Sequence, residues 1–376
     1  MKLHKKLSNL FMLLLLSGVV LLTSCEGNET PTPQGESILP ESFGVDIPSA
    51  ISDENLVSSR YANARTKEDT VQGNDIYEHL GTFIHVGEAS AEIVEDLIFG
   101  IRVYNINRPL TLTYESDDDG RTKTLVVEEN PDFEGSTWEY VLTVTDTDSE
   151  GNEDGGKALQ IFWNRSPIKG IAILKPYNIN RDENPSAEDA IIRIDYSEGG
   201  ELGYDAHMIV SIAGLPLPSA LDEPWAMDGL KMFAGRSGDV VDVYGNSNHP
   251  NAIFFSGNAG FNWAFVASGD DSEDIGVAEV GLPPSNLDES SREVLLDYYS
   301  IKNVFTREIT EVWPNLPTEI IDAYLYNTEG PGYFGPDGFI AGGTSPGDDW
   351  DILVDRLQQM SPYNPLEISN LSISFK

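Results

Sequence analysis

From Pro109 to about Pro283 the chain is a succession of short β-type segments, and this feature narrows the available folds more than any other. Leu110–Tyr114 alternates apolar and polar residues, Asp117-Asp118-Asp119-Gly120 reads as a turn, and Thr124–Glu128 returns. Further strand-like runs follow at Trp138–Val144, Ala158–Trp163, Ile168–Leu174, Ile191–Tyr196 and Tyr204–Ala213. Leu230–Ala234, Val240–Tyr244, Ala252–Phe255, Asn262–Ala267 and Gly276–Val280 complete the series. Turn residues separate them, the pattern of an all-β sheet, sandwich or barrel. Gly235-Arg236-Ser237-Gly238 and Gly245-Asn246-Ser247-Asn248 read as two such turns. No helical period falls between the strands, so an antiparallel meander is expected in preference to parallel βαβ topology.

Helical periods flank this region. Ile76, Leu80, Phe83, Ile84, Ala91, Val94, Leu97, Ile98 and Ile101 recur at spacings of three and four, which gives a helix with one apolar face over 75–103. Gly81 and Gly87 weaken it and allow two shorter helices. Downstream, Ser290-Ser291-Arg292-Glu293 has capping-box form ahead of Val294, Pro317 suits the first position of a helix through Tyr324, and Asp348/Asp349 lead a third. Residues 327–347 are a Gly/Pro loop, and Leu366–Phe375 alternates as a closing strand. The expected fold is mainly β: a large antiparallel meander sheet, half-barrel or sandwich, with a packed N-terminal helix and short C-terminal helices. One large β-rich domain covers 49–376, strand-rich over 105–284 and helix- and loop-rich over 285–365.

The first 24 residues belong to no such core. Lys2, Lys5 and Lys6 precede an apolar run, Leu10–Leu22. The run is shorter than the roughly 20 residues a spanning helix needs, and charge followed by a short apolar run is the pattern of a secretory signal. It ends in Leu22-Thr23-Ser24-Cys25, and Cys25 is the only cysteine of the sequence. These residues resemble the lipobox of bacterial lipoproteins. The resemblance implies that Cys25 is lipidated, becomes the mature N-terminus and ties the protein to the membrane. Glu26 in place of Asp implies the outer membrane, facing either periplasm or medium. Residues 25–48 then serve as anchor and tether, with Pro, Thr, Glu and Gly and no apolar period over 26–40. Asp69-Thr70-Val71 resembles the short O-glycosylation signal of Bacteroidota envelope proteins, which implies Thr70 as the acceptor.

Lys plus Arg number 23 against 62 Asp plus Glu, for a formal charge of −39. Phosphate neutralisation needs basic side chains, so nucleic acid is excluded as the main partner. With 40% hydrophobic residues the chain still has the means to build a core.

Four sets of residues bear on chemistry. Asp146, Asp148, Glu150, Gly151 and Asp154 fall at positions 1, 3, 5, 6 and 9 of a loop of EF-hand type. Alternating oxygens with a Gly at the bend are what calcium requires. Lys157 stands where the bidentate Glu belongs, and the competing reading is a solvated acidic hairpin. Tyr333, Phe334 and Phe339 lie in the 327–347 loop, where exposed aromatics would stack on a sugar or a partner; the competing reading tucks them onto the core. His79 and His85, six apart on a helix, do not form an i, i+4 zinc pair. His207 reads as a partly buried strand histidine. Ser247 and His249 are close in sequence without the constrained elbow and separate base that a triad requires. No catalytic residue is assigned.

The function expected is that of a lipid-anchored cell-envelope lipoprotein, a non-catalytic binding or carrier protein for a lipid, glycan or protein ligand. The alternatives are a surface glycan-binding or adhesion lipoprotein, marked by the loop aromatics, and a hydrolase with a carboxylate or metal site. An apolar cavity between sheet and helix would mark the carrier.

Overall fold

The computed structural model describes residues 38, 40, 43–52, 73–103 and 108–376, apart from 118, 183, 220–225 and 254–258. Cys25, the signal segment and Thr70 lie outside the described residues. The protein is mainly β, with a 13-stranded antiparallel sheet and a small two-stranded one. Strands follow one another in the sheet in the order in which they occur in the chain, which is the meander expected from short connections. Chain contacts group into two compact units.

One unit comprises Val45–Glu88 and Leu217–Leu371. Its strands are β10 (Gly229–Ser237), β11 (Val240–Ile253), β12 (Ala259–Asp270), β13 (Ile275–Gly281), β14 (Gly332–Gly335) and β15 (Gly338–Gly342). The helix α1 (Gly73–Val103) contributes its residues up to Glu88. Helices α2 (Ile301–Val312), α3 (Thr318–Tyr324), α4 (Asp348–Leu357) and α5 (Pro365–Ser369) also belong here. On α4, Leu353 and Leu357 are one turn apart and meet Ala264, Val266, Ile275 and Val277 in the core. Arg356, beside them, makes a two-pronged contact with buried Asp242 at 2.9 and 2.7 Å.

The other unit comprises Ala89–Pro216 with short segments at either end of the chain. Its main strands are β1 (Leu110–Glu115), β2 (Thr122–Glu129), β5 (Tyr140–Asp146), β6 (Lys157–Arg165), β7 (Ile168–Leu174), β8 (Ile191–Ser197) and β9 (Ala206–Ala213). A side hairpin of β3 (Asp132–Phe133) and β4 (Ser136–Thr137) covers Phe162, on which Phe133 stacks at 4.3 Å. Register places Leu142, Ile161, Ala172, Ile194 and Val210 in one transverse row, and all five are buried. The Leu, Ile and Val side chains of this row each contribute roughly 1.5–3 kcal/mol by leaving water.

Four local expectations differ from the structure. Residues 245–250 are not a turn between two strands but the middle of β11, which runs unbroken for 14 residues. Their turn-forming side chains find partners inside the protein instead: Asn246 Nδ2 donates to Tyr363 O at 2.8 Å, and Asn262 Nδ2 to Asn246 Oδ1 at 2.9 Å. The segment 327–347 holds the β14–β15 hairpin, with Tyr333 paired to Val277. The expected strand 366–375 starts as α5 because Pro365 opens a helical turn and Asn364 Oδ1 caps Leu366 N at 2.9 Å. Beyond it Ile373 and Phe375 still pack on Trp138 and Phe162, without joining a strand. Finally, the capping-box segment becomes a π-helical turn, Glu293–Tyr298.

Candidate functional site

In the first unit, polar groups enter an otherwise apolar layer beneath α1. Ser247 pairs with Trp263 across β11 and β12, and His249 pairs with Phe261. Register partners share a face, and i, i+2 residues do too, so these four side chains point the same way. Phe83 of α1 meets them, its ring 5.1 Å from that of His249 and 5.5 Å from that of Trp263. His79, one turn earlier, lies 5.3 Å from the Trp263 ring. Ser247 Oγ and His249 Nε2 are hydrogen-bonded at 2.8 Å, and both residues are 0% exposed. A serine nucleophile must meet substrate beside an oxyanion hole. Here the pair is closed off, a polar floor facing the protein interior.

One donor of this layer has no acceptor: Trp263 Nε1 is buried and makes no hydrogen bond. A buried donor left unmade costs about 1–3 kcal/mol, so native proteins keep few of them without a reason. Packing around the niche is tight. A Cβ on Gly87 would come within 2.2 Å of Met232 Cε, so helix and strand are in contact there.

The acidic turn in the second unit has a different role from that of a metal loop. Asp146, fully buried at the end of β5, receives Arg121 Nε at 2.7 Å on Oδ2. Lys123 Nζ stands 3.8 Å and Arg181 Nε 3.3 Å from the same oxygen. Lys123 itself is buried and donates to Asp119 Oδ2 at 3.1 Å and to Asn178 O at 2.9 Å. Asp154 takes Lys175 Nζ at 2.7 Å and Asn178 Nδ2 at 3.1 Å on Oδ2. Asp148 and Glu150 are exposed on the loop surface. The four carboxylates proposed as calcium ligands are therefore not gathered round one point, and side-chain cations already neutralise two of them. Among the described residues no group of three or more His, Cys, Asp or Glu is placed to hold a metal ion. Burial pushes the Asp146 carboxyl up, but the Arg121 hydrogen bond and the Lys123 and Arg121 charges outweigh it and hold it below the usual carboxylate range. Asp154 is held low in the same way, burial being outweighed by Lys175 and the Gly156 amide.

The remaining sequence candidates are structural. Tyr333 and Phe334 are buried, and Phe339 stacks on Tyr77 at 5.3 Å, so the loop aromatics serve the core and form no exposed platform. Burial lowers the His207 pKa on its half-buried strand. His85 lies 4.0 Å from Glu88 on the helix surface. Sequence reasoning missed Arg121, Lys123 and Arg181. One signal for them was present: Lys123 shares the stripe of Leu125 and Val127 in the alternation of β2, whose pattern puts all three inside. No helix among the described residues is long and apolar enough to cross a membrane. No family model matches the chain, and no curated protein or solved structure matches it either.

Proposed function

We propose that this chain is a lipid-anchored lipoprotein of the outer membrane whose folded part is a non-catalytic binding module for a small acceptor-bearing ligand. The anchoring half of the reading rests on Leu22-Thr23-Ser24-Cys25, where the only cysteine ends a charged-then-apolar leader. The binding half rests on one observation: the Trp263 indole N–H, on the face that carries the Ser247–His249 pair, is buried and makes no hydrogen bond. A ligand carbonyl or carboxyl oxygen would satisfy the Trp263 donor, while Phe83 and Phe261 would hold its apolar part.

The close contact at Gly87 argues for a small ligand over a long acyl chain. The glycan-adhesion reading loses the aromatics that motivated it, since Tyr333 and Phe334 are interior. For the hydrolase reading, buried Glu279 is bound to Arg292, and Asp119 and Asp146 are both held by Lys123.

The test is native mass spectrometry of the full mature protein, extracted in detergent from its own host. Acylation at Cys25 together with a small non-covalent adduct is expected. The adduct is lost in Trp263→Phe, while the variant keeps its fold by circular dichroism. A clean apo mass from wild type under gentle extraction refutes the binding module. An unacylated N-terminus refutes the anchor.

A further inference from the structure

At one point of the second unit, cations outnumber the carboxylates that hold them. Arg121, Arg181 and Lys123 reach Asp146 at 2.7, 3.3 and 3.8 Å, and Lys123 also reaches Asp119 at 3.1 Å. Among the described residues, these two carboxylates are the only ones within ion-pair distance of the three cations. One positive charge is left over, in a chain that carries −39 overall. Asp148 also acts on Arg121, but from the exposed loop surface and beyond ion-pair distance, where water screens it.

Two of the cations end at one hydroxyl. Arg121 Nη2 donates to Ser149 Oγ at 3.0 Å, and Arg181 Nη2 donates to it at 2.5 Å. Ser149 Oγ in turn donates to Asp146 Oδ2 at 3.2 Å. Its proton and both its lone pairs are then in use. The two guanidinium groups therefore meet side by side, and the Nη1 of each makes no hydrogen bond to a described residue. The Arg121 and Arg181 side chains are 26% and 22% exposed, whereas that of Asp146 is 0% exposed. The guanidinium groups open to solvent while the carboxylate they share is sealed.

These donors are set in place by the fold. The loop that carries Ser149 is closed by Asp146 N donating to Gly156 O at 2.8 Å, and Thr147 Oγ1 donates to Thr122 O at 3.0 Å. A Cβ on Gly156 would come within 2.4 Å of Asp146 O, so the loop has no slack there. Arg181 follows the helical turn Pro176–Ile179 and lies over the Tyr177 ring at 4.5 Å. Donors already fixed lose little freedom on binding. A guanidinium offers its N–H groups as a planar fork that fits the spacing of oxygens on one acid group. Two forks meeting at a point suit a group with several oxygens on one centre.

We propose that Arg121 and Arg181, positioned by Ser149, bind a tetrahedral oxyanion, a phosphate or sulfate group, at the surface of the second unit. The anion takes up the leftover positive charge and the two Nη1 donors, while Lys123 stays with Asp119 and Asp146. This does not depend on the Trp263 niche, which belongs to the first unit.

The test is equilibrium dialysis of the full mature protein against radiolabelled phosphate and sulfate, with sodium chloride as competitor at matched ionic strength. One oxyanion per chain is expected, and chloride is expected not to displace it. Arg181→Gln leaves Asp146 with Arg121 and Lys123, and it is expected to keep its circular dichroism and to bind roughly tenfold more weakly or worse, the loss of one charge-assisted fork. Arg181→Lys keeps the charge and loses the fork; it is expected to be weakened too, and it decides the matter if Arg181→Gln does not fold. Glucose 1-phosphate run beside inorganic phosphate separates the sources: tighter binding of the ester makes this a handle for a larger phosphorylated or sulfated ligand, and tighter binding of the free ion makes it an ion site. No retention by wild type above that seen with excess chloride overturns the proposal. Binding at full strength in the folded Arg181 variants places the anion elsewhere and likewise overturns it.

Discussion

Replacing Lys123 by Met tests whether the buried cation network holds the second unit together. The Lys123 side chain is 3% exposed and that of Asp119, its partner, is 1% exposed. Removing the ammonium deletes the 3.1 Å contact to Asp119 and the 2.9 Å donation to Asn178 O, and takes a cation from 3.8 Å of Asp146. Asp146 keeps Arg121, but Asp119 keeps only backbone N–H donors, from Arg121 at 3.2 Å and Arg181 at 3.4 Å. Breaking a buried pair by removing one partner costs about 3–5 kcal/mol, since the other charge is left uncompensated. For a unit of this size each kcal/mol moves the midpoint by about 2–4 °C, so the melting temperature should fall by roughly 6–20 °C. Adding Asp119→Asn should recover part of the loss, because a neutral amide no longer needs the ammonium. Urea unfolding followed by far-ultraviolet circular dichroism measures all three proteins, with amide exchange in β2, β5 and β6 localising the effect. A loss under about 1 kcal/mol for Lys123→Met, or a double variant no more stable than the single, would show the network to be incidental.

Four further outcomes follow from the same structure. Asp146 and Asp154 have depressed folded pKa values, so their contribution is present above the unfolded carboxylate value near ~4 and drains away as pH falls below it; acid titration should unfold the second unit from about pH 4 downward, and in Asp146→Asn this slope should flatten. Calcium addition or chelation should leave the melting temperature unmoved, since Lys175 and Arg121 already hold these carboxylates; a calcium-dependent rise of several degrees by calorimetry contradicts the assignment. Gly281→Ala should cost ~1–3 kcal/mol or more, because a Cβ there lies 1.9 Å from Leu295 O, whereas Gly151→Ala, with nothing within 4 Å, should change stability by less than ~0.5 kcal/mol; equal Tm values for the two would refute the packing argument. If Cys25 carries the proposed anchor, Cys25→Ser should move the protein from the membrane to the soluble fraction on ultracentrifugation; retention in the membrane would refute it.

Strand existence was largely legible. Ile168–Leu174 and the cores of the other apolar runs became strands because alternation and β-branched residues act locally. The long helix was legible too, and Gly81 and Gly87 did not break it: Gly87 sits where helix and strand touch, a packing benefit that no propensity records. Local signals failed where partners came from far along the chain. Residues 245–250 have turn composition, and Tyr363 satisfies Asn246 from 117 positions away. Helix α2 was missed although Ile301, Val304 and Ile309 mark one buried face. The aromatics of 333–339 looked like a loop platform until Val277 and Tyr77 covered them.

By itself the sequence determined the class of fold, since hydrophobic periodicity is a property of neighbouring residues. Tertiary structure alone decided what the acidic loop and the polar strand residues are for. Asp146 and Asp154 look like metal ligands until Arg121, Lys123 and Lys175 arrive from other segments. Ser247 and His249 look like a turn until Trp263 and Phe83 close over them. Whether a carboxylate meets a cation or an ion, and whether a donor meets an acceptor, depends on distances of about 3 Å between residues tens of positions apart. Only the folded chain sets those distances.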